Sequence, residues 1–172
     1  MASKKRKPVK RKPLIRQLIN TLILTIIISG VYICYTIIYD LRVRFINNSE
    51  LSDLAGINKK YAASFKEFVD EIEKETEWKV LIISGLRTKE EQIQLKRDNP
   101  RNAAVSKSRH VLGRAVDINL YKREGLGIVW LKKSSSVASW RRTGVAEIAK
   151  RHKLLWGGLY RNYHDPVHFE IN

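Results

Sequence analysis

The sequence predicts an α+β domain with a small antiparallel or mixed sheet and flanking helices, preceded by one N-terminal transmembrane helix. Residues 18–39 contain 22 residues without a charge, and as a helix this run measures roughly 33 Å, which matches the hydrocarbon core of a bilayer. After it, segments with helical periodicity alternate with short apolar runs. We therefore expect a basic cytoplasmic tail at 1–17, a transmembrane signal-anchor helix at 18–39, a linker at 40–50 and a folded domain at 51–172.

The positive charge is concentrated before the apolar run. The chain has 33 Lys and Arg against 17 Asp and Glu, and eight of the basic residues precede the first acidic one. The positive-inside rule then places the N-terminus in the cytoplasm and the domain outside the membrane, as a single-pass protein. The remaining positive charge favours an anionic partner. Nucleic acid is not the expected partner, because the domain is exported and has no aromatic platform or groove-reading motif.

A cleaved signal peptide and a buried core helix are the alternatives to a membrane anchor. A signal peptide has a shorter apolar region, roughly 7 to 15 residues, and ends in a small-x-small cleavage site. Here the apolar run continues through "VYICY" without such a site. A core helix is disfavoured because the run is apolar on every face and follows a polybasic end.

The first half of the domain predicts a helix, a strand and a second helix. In "NKKYAASFKEFVDEIEKET" the apolar residues recur at i, i+4, i+7, i+8 and i+11, with Asn58 as the N-cap of an amphipathic helix. The run "WKVLIISG" predicts a buried strand. In "TKEEQIQLKRD", Thr88 and Glu91 form a capping box. Arg87 is therefore expected at a junction between a strand and a helix.

The second half predicts further strands around one long helix. Residues 110–120 contain the turn-compatible Gly113 and then the alternating strand "AVDINL", followed by a loop rich in Lys and Gly. The stretch "SSVASWRRTGVAEIAKRH" predicts a second long helix, with Gly144 as an unfavourable residue in its middle. The runs "LLWGGLY" and "VHFEI" predict short strands joined by the polar link "RNYHDP".

A zinc site is one option for the chemistry of this domain. The one cysteine lies in the apolar run, so a metal would have to use His, Asp or Glu. A catalytic zinc needs three protein ligands and an open position. His110 and Asp117 supply two ligands if a turn between them folds their strands together, and His168 is the third candidate. Asp165, three residues earlier, is well placed for a base.

Spacing alone leaves other interpretations open. His168 on a terminal strand would also suit a core histidine bonded to a backbone carbonyl, and Asp165 before a proline is an ordinary turn opener. His152 follows a basic helix end, where it would interact with the helix dipole. His164 and His168 are four residues apart, but Pro166 disfavours the helix that this pairing requires.

Three segments carry a more specific pattern: "SGLRTKEEQ", "SRHVLGRAVDI" and "LLWGGLYRNYHDPVHFEI". In sequence, order and separation they resemble the motif blocks of peptidase family M15, the zinc D-Ala-D-Ala carboxypeptidases and L-alanyl-D-glutamate endopeptidases of bacterial cell walls and phage lysins. The middle segment has every fixed position of the family pattern S-x-H-x-x-G-x-A-x-D. The resemblance covers about residues 50–172 and does not extend to the predicted anchor.

The resemblance implies a role for each residue of the predicted metal site. His110, Asp117 and His168 would bind one zinc ion per chain. Asp165 would be the general base, a position at which some members of the family have Glu.

The resemblance also implies a substrate-binding group. Arg87 would hold a carboxylate of the peptide substrate, and Ser108 and Gln92 are further candidates for substrate contacts. Leu159 departs from the family, because many relatives of the endopeptidase subgroup have Asp or Asn there. This departure and the basic insertion at 122–133 are where substrate contacts are expected to differ.

The sequence thus predicts a membrane-anchored zinc metallopeptidase, a hydrolase of the peptidoglycan stem peptide. It would act as an L-alanyl-D-glutamate endopeptidase or as a D,D-carboxypeptidase. The domain would work on the periplasmic or cell-wall side. The alternative is a non-catalytic exported domain of the same fold that contains zinc and serves binding or signalling. Asp165 distinguishes the two, since only an enzyme needs the base.

Overall fold

The computed structural model describes residues 13–52, 57–125 and 127–172. The chain divides into two compact units after Leu41, and each unit is described by itself. Residues 1–12, most of the predicted basic tail, lie outside the described residues.

A long apolar helix, α1, spans Pro13–Ser52, and its residues up to Leu41 are the described part of the first unit. Within it, the candidate span Leu14–Val43 contains a stretch of 18 residues that has a mean hydropathy of 2.2 and is mostly exposed. At 1.5 Å per residue the whole span measures about 45 Å, the thickness of a bilayer with its interfacial regions. In the part of the chain that the structure describes, this is the one helix with the length and composition to cross a membrane. The helix also includes residues 40–50, which the sequence predicts to be a linker.

The second unit, which begins at Arg42, contains the predicted amphipathic helix. Helix α2 spans Lys59–Glu75, and the side chain of Asn58 caps it by accepting a hydrogen bond from the backbone nitrogen of Lys60 at 3.1 Å. Its buried residues are members of the predicted apolar stripe: Phe65, Phe68, Val69 and Ile72. The prediction of this helix, its cap and its buried face is confirmed.

Five strands form one sheet. Their bounds are Lys79–Ser84 for β1, Ala115–Glu124 for β2, Gly127–Leu131 for β3, Leu155–Trp156 for β4 and His168–Glu170 for β5. The strand order is β1-β2-β5-β4, with β3 paired to β2 as well. Every pairing is antiparallel. The predicted α+β class with a small antiparallel sheet is therefore confirmed.

Strand β1 differs from its prediction. It hydrogen-bonds to β2 alone among the described strands, so it lies at an edge of the sheet. Burial alternates along it, and Ile83 is 47% exposed. The apolar run is continuous in the sequence, yet only one face of the strand meets the core. The prediction of a buried strand is wrong on this point.

Helix α3 spans Lys89–Asp98 and follows β1 closely. Thr88 Oγ1 accepts a hydrogen bond from the backbone nitrogen of Glu91 at 3.1 Å, and Glu91 Oε2 accepts one from the backbone nitrogen of Thr88 at 2.8 Å. The predicted capping box is confirmed. Arg87 consequently lies between a strand end and a helix start.

Strands β2 and β3 form a hairpin where the sequence predicts a loop. Residues 122–124 extend β2, and the ring of Tyr121 packs on that of Trp130 of β3 with centroids 5.0 Å apart. The prediction is wrong because the Lys and Gly residues obscured a short β-branched and aromatic run, "IVW", which pairs with β2.

The predicted second long helix is two short helices, α4 at Val137–Arg141 and α5 at Val145–Arg151. Gly144 lies between them with φ of +79°. This left-handed conformation ends α4, because a residue with a Cβ rarely adopts it.

The hydrophobic core lies on one face of the sheet. Val116, Ile118 and Leu120 of β2 are fully buried there and belong to one cluster with residues of α2 and α5. Since successive side chains of a strand point to opposite faces, Asp117 points to the other face. One face of the sheet thus packs against the core, and the opposite face carries polar side chains that include Asp117.

Candidate functional site

The three residues that the sequence predicts as metal ligands converge on the polar face of the sheet. The distance from His110 Nε2 to Asp117 Oδ1 is 3.2 Å, from His110 Nε2 to His168 Nδ1 it is 3.1 Å, and from His168 Nδ1 to Asp117 Oδ1 it is 2.9 Å. These three atoms form a nearly equilateral triangle. Together the three side chains can offer one donor atom each to a single cation.

Strand register brings two of the three residues together. Asp117 on β2 is the direct antiparallel partner of His168 on β5, and directly opposed residues on one face have neighbouring side chains. His110 comes from the turn that precedes β2, closed by a hydrogen bond from the Gly113 nitrogen to the His110 carbonyl at 3.0 Å. The sequence predicts that His110 lies on a strand that a turn folds back toward Asp117. His110 lies instead in the turn itself.

Hydrogen bonds to the outer nitrogens orient both imidazole rings. His110 Nδ1 lies 2.7 Å from the Gly85 carbonyl oxygen, which can only accept, so this nitrogen donates. His168 Nε2 lies 3.2 Å from Glu170 Oε2, again an acceptor. In the neutral rings the inward-facing nitrogens therefore carry lone pairs. Such outer partners are typical of metal-binding histidines.

The inward-facing atoms consequently need a positive charge between them. Two imidazole lone pairs and a carboxylate oxygen of Asp117 lie about 3 Å apart and repel one another unless a cation or a proton intervenes. A cation of ordinary coordination geometry would satisfy all three. These residues are the part of the described chain that can hold a metal.

Charges in the cluster shift two pKa values. Burial opposes ionisation of Asp117, but hydrogen bonds from His110 and His168 outweigh burial and lower the pKa of its carboxyl well below the usual range. Burial disfavours the charged form of His168, but hydrogen bonds to Asp117 and Glu170 outweigh it and raise the pKa of His168 to about 9. Protons and a cation would thus compete for the same atoms.

Asp165 lies beside the three convergent residues, and only one of its two carboxylate oxygens has a hydrogen-bond partner among the described residues. It lines the same cavity of about 340 Å³ as the three convergent residues, and it is 8% exposed. Its Oδ2 accepts a hydrogen bond from Lys133 Nζ at 2.8 Å. Its Oδ1 is buried and has no hydrogen-bond partner among the described residues. One oxygen of this carboxylate is engaged and the other is free.

The loop that carries Asp165 is held closely against Gly157. The Asp165 nitrogen donates to the Gly157 carbonyl oxygen at 3.0 Å, and the His168 nitrogen donates to the Asp165 carbonyl oxygen at 3.1 Å. A Cβ at Gly157 would lie 2.5 Å from the Asp165 carbonyl oxygen. The close approach therefore requires glycine, and it joins the position of Asp165 to that of His168.

Arg87 lies on the rim of the cavity. Its Nη1 donates to Gln92 Oε1 at 2.7 Å and its Nη2 donates to Ser84 Oγ at 3.2 Å. Its Nη2 is also 3.8 Å from Asp117 Oδ2. The guanidinium is thus held in place while it lines the cavity.

Of the two other predicted substrate contacts, Gln92 bonds to Arg87 directly and Ser108 bonds to Gln92. Gln92 is 1% exposed, and its Nε2 donates to the Ala103 carbonyl oxygen at 2.7 Å. Its Oε1 accepts from both Arg87 and Ser108 Oγ, the latter at 3.1 Å. Both ends of the amide group are engaged in these contacts, and we expect it to position the guanidinium.

Sequence reasoning missed several residues of the cavity, among them Glu170 and Lys133. Glu170 was detectable, because it is two residues after His168 on one strand and so shares its face. Lys133 gave no local signal, since its partner Asp165 is 32 residues away in the chain.

The remaining histidines lie outside the cluster. His152 ends α5 and contacts Glu71 of α2. His164 Nδ1 is 3.1 Å from the Gly158 carbonyl oxygen.

Two comparisons with known proteins bear on this arrangement. Residues 101–171 match the M15 peptidase family described as D-alanyl-D-alanine carboxypeptidase. The fold is also similar to the crystal structure of Serratia marcescens L-Ala D-Glu endopeptidase ChiX, with a TM-score of 0.46 and 19% identity over 61% of this chain and 75% of that chain. The family match includes the three convergent residues and Asp165, whereas Arg87 precedes it. The match to the M15 peptidase model thus covers the C-terminal part of the chain, from the loop after α3 to the end of β5.

Proposed function

We propose that the protein is a membrane-anchored zinc metallopeptidase that hydrolyses a peptide bond of the peptidoglycan stem peptide, as an L-alanyl-D-glutamate endopeptidase or a D,D-carboxypeptidase. The observation that carries the proposal is the convergence of three electron-pair donors beside a buried carboxylate with a free oxygen. The description of the matching family, D-alanyl-D-alanine carboxypeptidase, supports the substrate class.

The donor set suits one zinc ion per chain. Tetrahedral zinc with bonds of about 2.0–2.1 Å places its ligand atoms about 3.3 Å apart. The triangle of His110, Asp117 and His168 has sides of 3.2, 3.1 and 2.9 Å, so small adjustments would complete it. Three protein ligands leave the fourth position open, as catalysis requires. When bound, zinc polarises the scissile carbonyl and lowers the pKa of a water molecule toward ~7.

Asp165 supplies the proton transfer. Its Oδ1 has lone pairs and no partner among the described residues, so it can accept a proton from the attacking water. Oδ1 then returns this proton to the nitrogen of the departing amine, which regenerates the carboxylate. Burial beside the cavity keeps bulk water from competing for the same oxygen.

Arg87 binds a carboxylate of the substrate. A planar guanidinium can hold a carboxylate through two parallel hydrogen bonds, which a lysine cannot do. Gln92 and Ser108 belong to this subsite and hold Arg87 through the Gln92 amide oxygen. The N-terminus of α3 also lies next to this group and favours an anion there.

Helix α1 anchors the domain at its substrate. The apolar span Leu14–Val43 crosses the membrane, and the basic residues that precede it keep the N-terminus in the cytoplasm. The domain then works on the periplasmic or cell-wall side, where peptidoglycan lies.

Digestion of purified muropeptides by the full-length protein in detergent tests the proposal. We expect mass spectrometry to detect either the release of D-alanine or cleavage after L-alanine, and the product masses identify the bond. A chelator should abolish the reaction and added zinc should restore it, because removal of the cation leaves the three donor atoms without the positive charge that the proposed reaction requires. Intact muropeptides after incubation with the zinc-loaded protein would contradict hydrolysis and favour a non-catalytic zinc-binding or signalling domain.

A further inference from the structure

We propose that Lys133 is a positioning residue that holds Oδ2 of Asp165 and thereby fixes the direction of Oδ1, the oxygen that has no hydrogen-bond partner among the described residues. The inference rests on the proposed function, since it concerns the base of that reaction. Lys133 lies at the end of the basic insertion, where the sequence predicts differences in substrate contacts but no contact with Asp165.

The ion pair is short and lies at the cavity. Lys133 Nζ is 2.8 Å from Asp165 Oδ2, and both residues line the cavity that the three convergent side chains also line. The Asp165 side chain is 11% exposed and that of Lys133 is 64% exposed. Burial lowers the pKa of Lys133, but its hydrogen bond to Asp165 outweighs burial and the net pKa is raised. The lysine is thus a charged donor, and charge-assisted hydrogen bonds are stronger than neutral ones.

The backbone next to Lys133 is fixed to the core. The Lys132 carbonyl oxygen accepts a hydrogen bond from Trp140 Nε1 at 3.2 Å, and Trp140 is fully buried. The Lys132 nitrogen donates to Ser135 Oγ at 3.0 Å, and the Ser135 nitrogen donates to the Lys132 carbonyl oxygen at 2.9 Å. Lys133 therefore extends over the cavity from an anchored turn and not from a free loop.

The hydrogen bond from Lys133 restricts rotation of the Asp165 carboxylate. Its backbone is already fixed by hydrogen bonds to Gly157 and His168, so the side-chain torsions decide where each oxygen lies. Without a partner the two oxygens would exchange by rotation of the carboxylate. With Oδ2 held by Lys133, the free lone pairs of Oδ1 keep one direction. Proton transfer requires such alignment, and a misplacement of about 1 Å can cost about 100-fold in rate.

Three full-length variants in detergent, each loaded with zinc, test the inference. Lys133→Met removes the charge with little change in volume, Lys133→Arg keeps a donor, and Lys132→Met makes the same change at the adjacent residue. Lys132 is a matched control because its Nζ lies over the Trp130 ring, 5.1 Å from the centroid. For each variant we would measure kcat and KM on muropeptides, zinc content and the melting temperature.

We expect Lys133→Met to lower kcat about 10- to 100-fold with KM within about twofold of wild type, since the base is misaligned while binding is retained. Zinc content should stay at one ion per chain, Lys133→Arg should recover most of kcat, and Lys132→Met should match wild type. A wild-type kcat in Lys133→Met would overturn the inference, as would a rise in KM alone, which would make Lys133 a substrate-binding group. A wild-type protein that cleaves no muropeptide would overturn the proposed function and the inference together.

Discussion

We expect Asp165→Asn to lower kcat for muropeptide hydrolysis by about 100- to 10,000-fold, the range for loss of a general base, and to leave the proposed binding of one zinc ion per chain intact. Asparagine has the shape of aspartate and can still accept a hydrogen bond from Lys133, but its amide cannot take up a proton. The ligand atoms lie on other residues, so the metal site remains complete. Kinetic assays together with metal analysis of the same preparation measure both quantities.

Asp70→Asn is the matched control for this change. Asp70 lies on α2, pairs with Lys66 and has a side chain that is 58% exposed, so the substitution there should leave kcat and zinc content unaltered. Equal activity of Asp165→Asn and wild type would reject Asp165 as the base. Loss of zinc in Asp165→Asn would instead make Asp165 part of the metal site.

His168→Ala is expected to abolish stoichiometric zinc binding and hydrolysis together. The substitution leaves two donors where zinc needs three protein ligands, and loss of an outer hydrogen-bond partner alone already costs 10- to 100-fold in metal affinity. We therefore expect the affinity to fall by more than about 100-fold. Metal analysis after gel filtration and competition with a chromophoric chelator measure this loss.

The stability of the same variant provides a second readout. If the folded site binds zinc as proposed, zinc at 100 times its dissociation constant should stabilise the wild-type fold by about 2.7 kcal/mol. The melting temperature of His168→Ala should not respond to zinc. His164→Ala is the control, because this exposed histidine contacts the Gly158 carbonyl and lies outside the cluster. A zinc-dependent rise in His168→Ala equal to that of wild type would exclude His168 as a ligand.

Local signals in the sequence predicted the elements that depend on neighbouring residues. The cap at Asn58 and the capping box of Thr88 and Glu91 formed as expected, because each is made within four residues of chain. The register that brings Asp117 opposite His168 is not local. For that pair the spacing in the sequence left several interpretations open, and only the resemblance to a family indicated that both residues are metal ligands.

The remaining features depend on contacts that no local pattern encodes. Whether β1 lies at an edge or inside the sheet is decided by its neighbours, which β1 itself does not specify. The pairing of Lys133 with Asp165 joins a hairpin end to a loop before β5, and only the assembled sheet brings them together. Gly144 shows the opposite case: the sequence marked the residue, but a left-handed φ of +79° there divides the helix in two.

X-ray absorption at the zinc edge of the zinc-loaded, full-length protein tests the central claim most directly, because it detects the ligand atoms themselves. The account predicts two imidazole nitrogens and a carboxylate oxygen at about 2.0–2.2 Å, without sulfur. A spectrum with sulfur at about 2.3 Å, a spectrum without two imidazoles, or a protein that retains no zinc would contradict the convergence of His110, Asp117 and His168 on one ion.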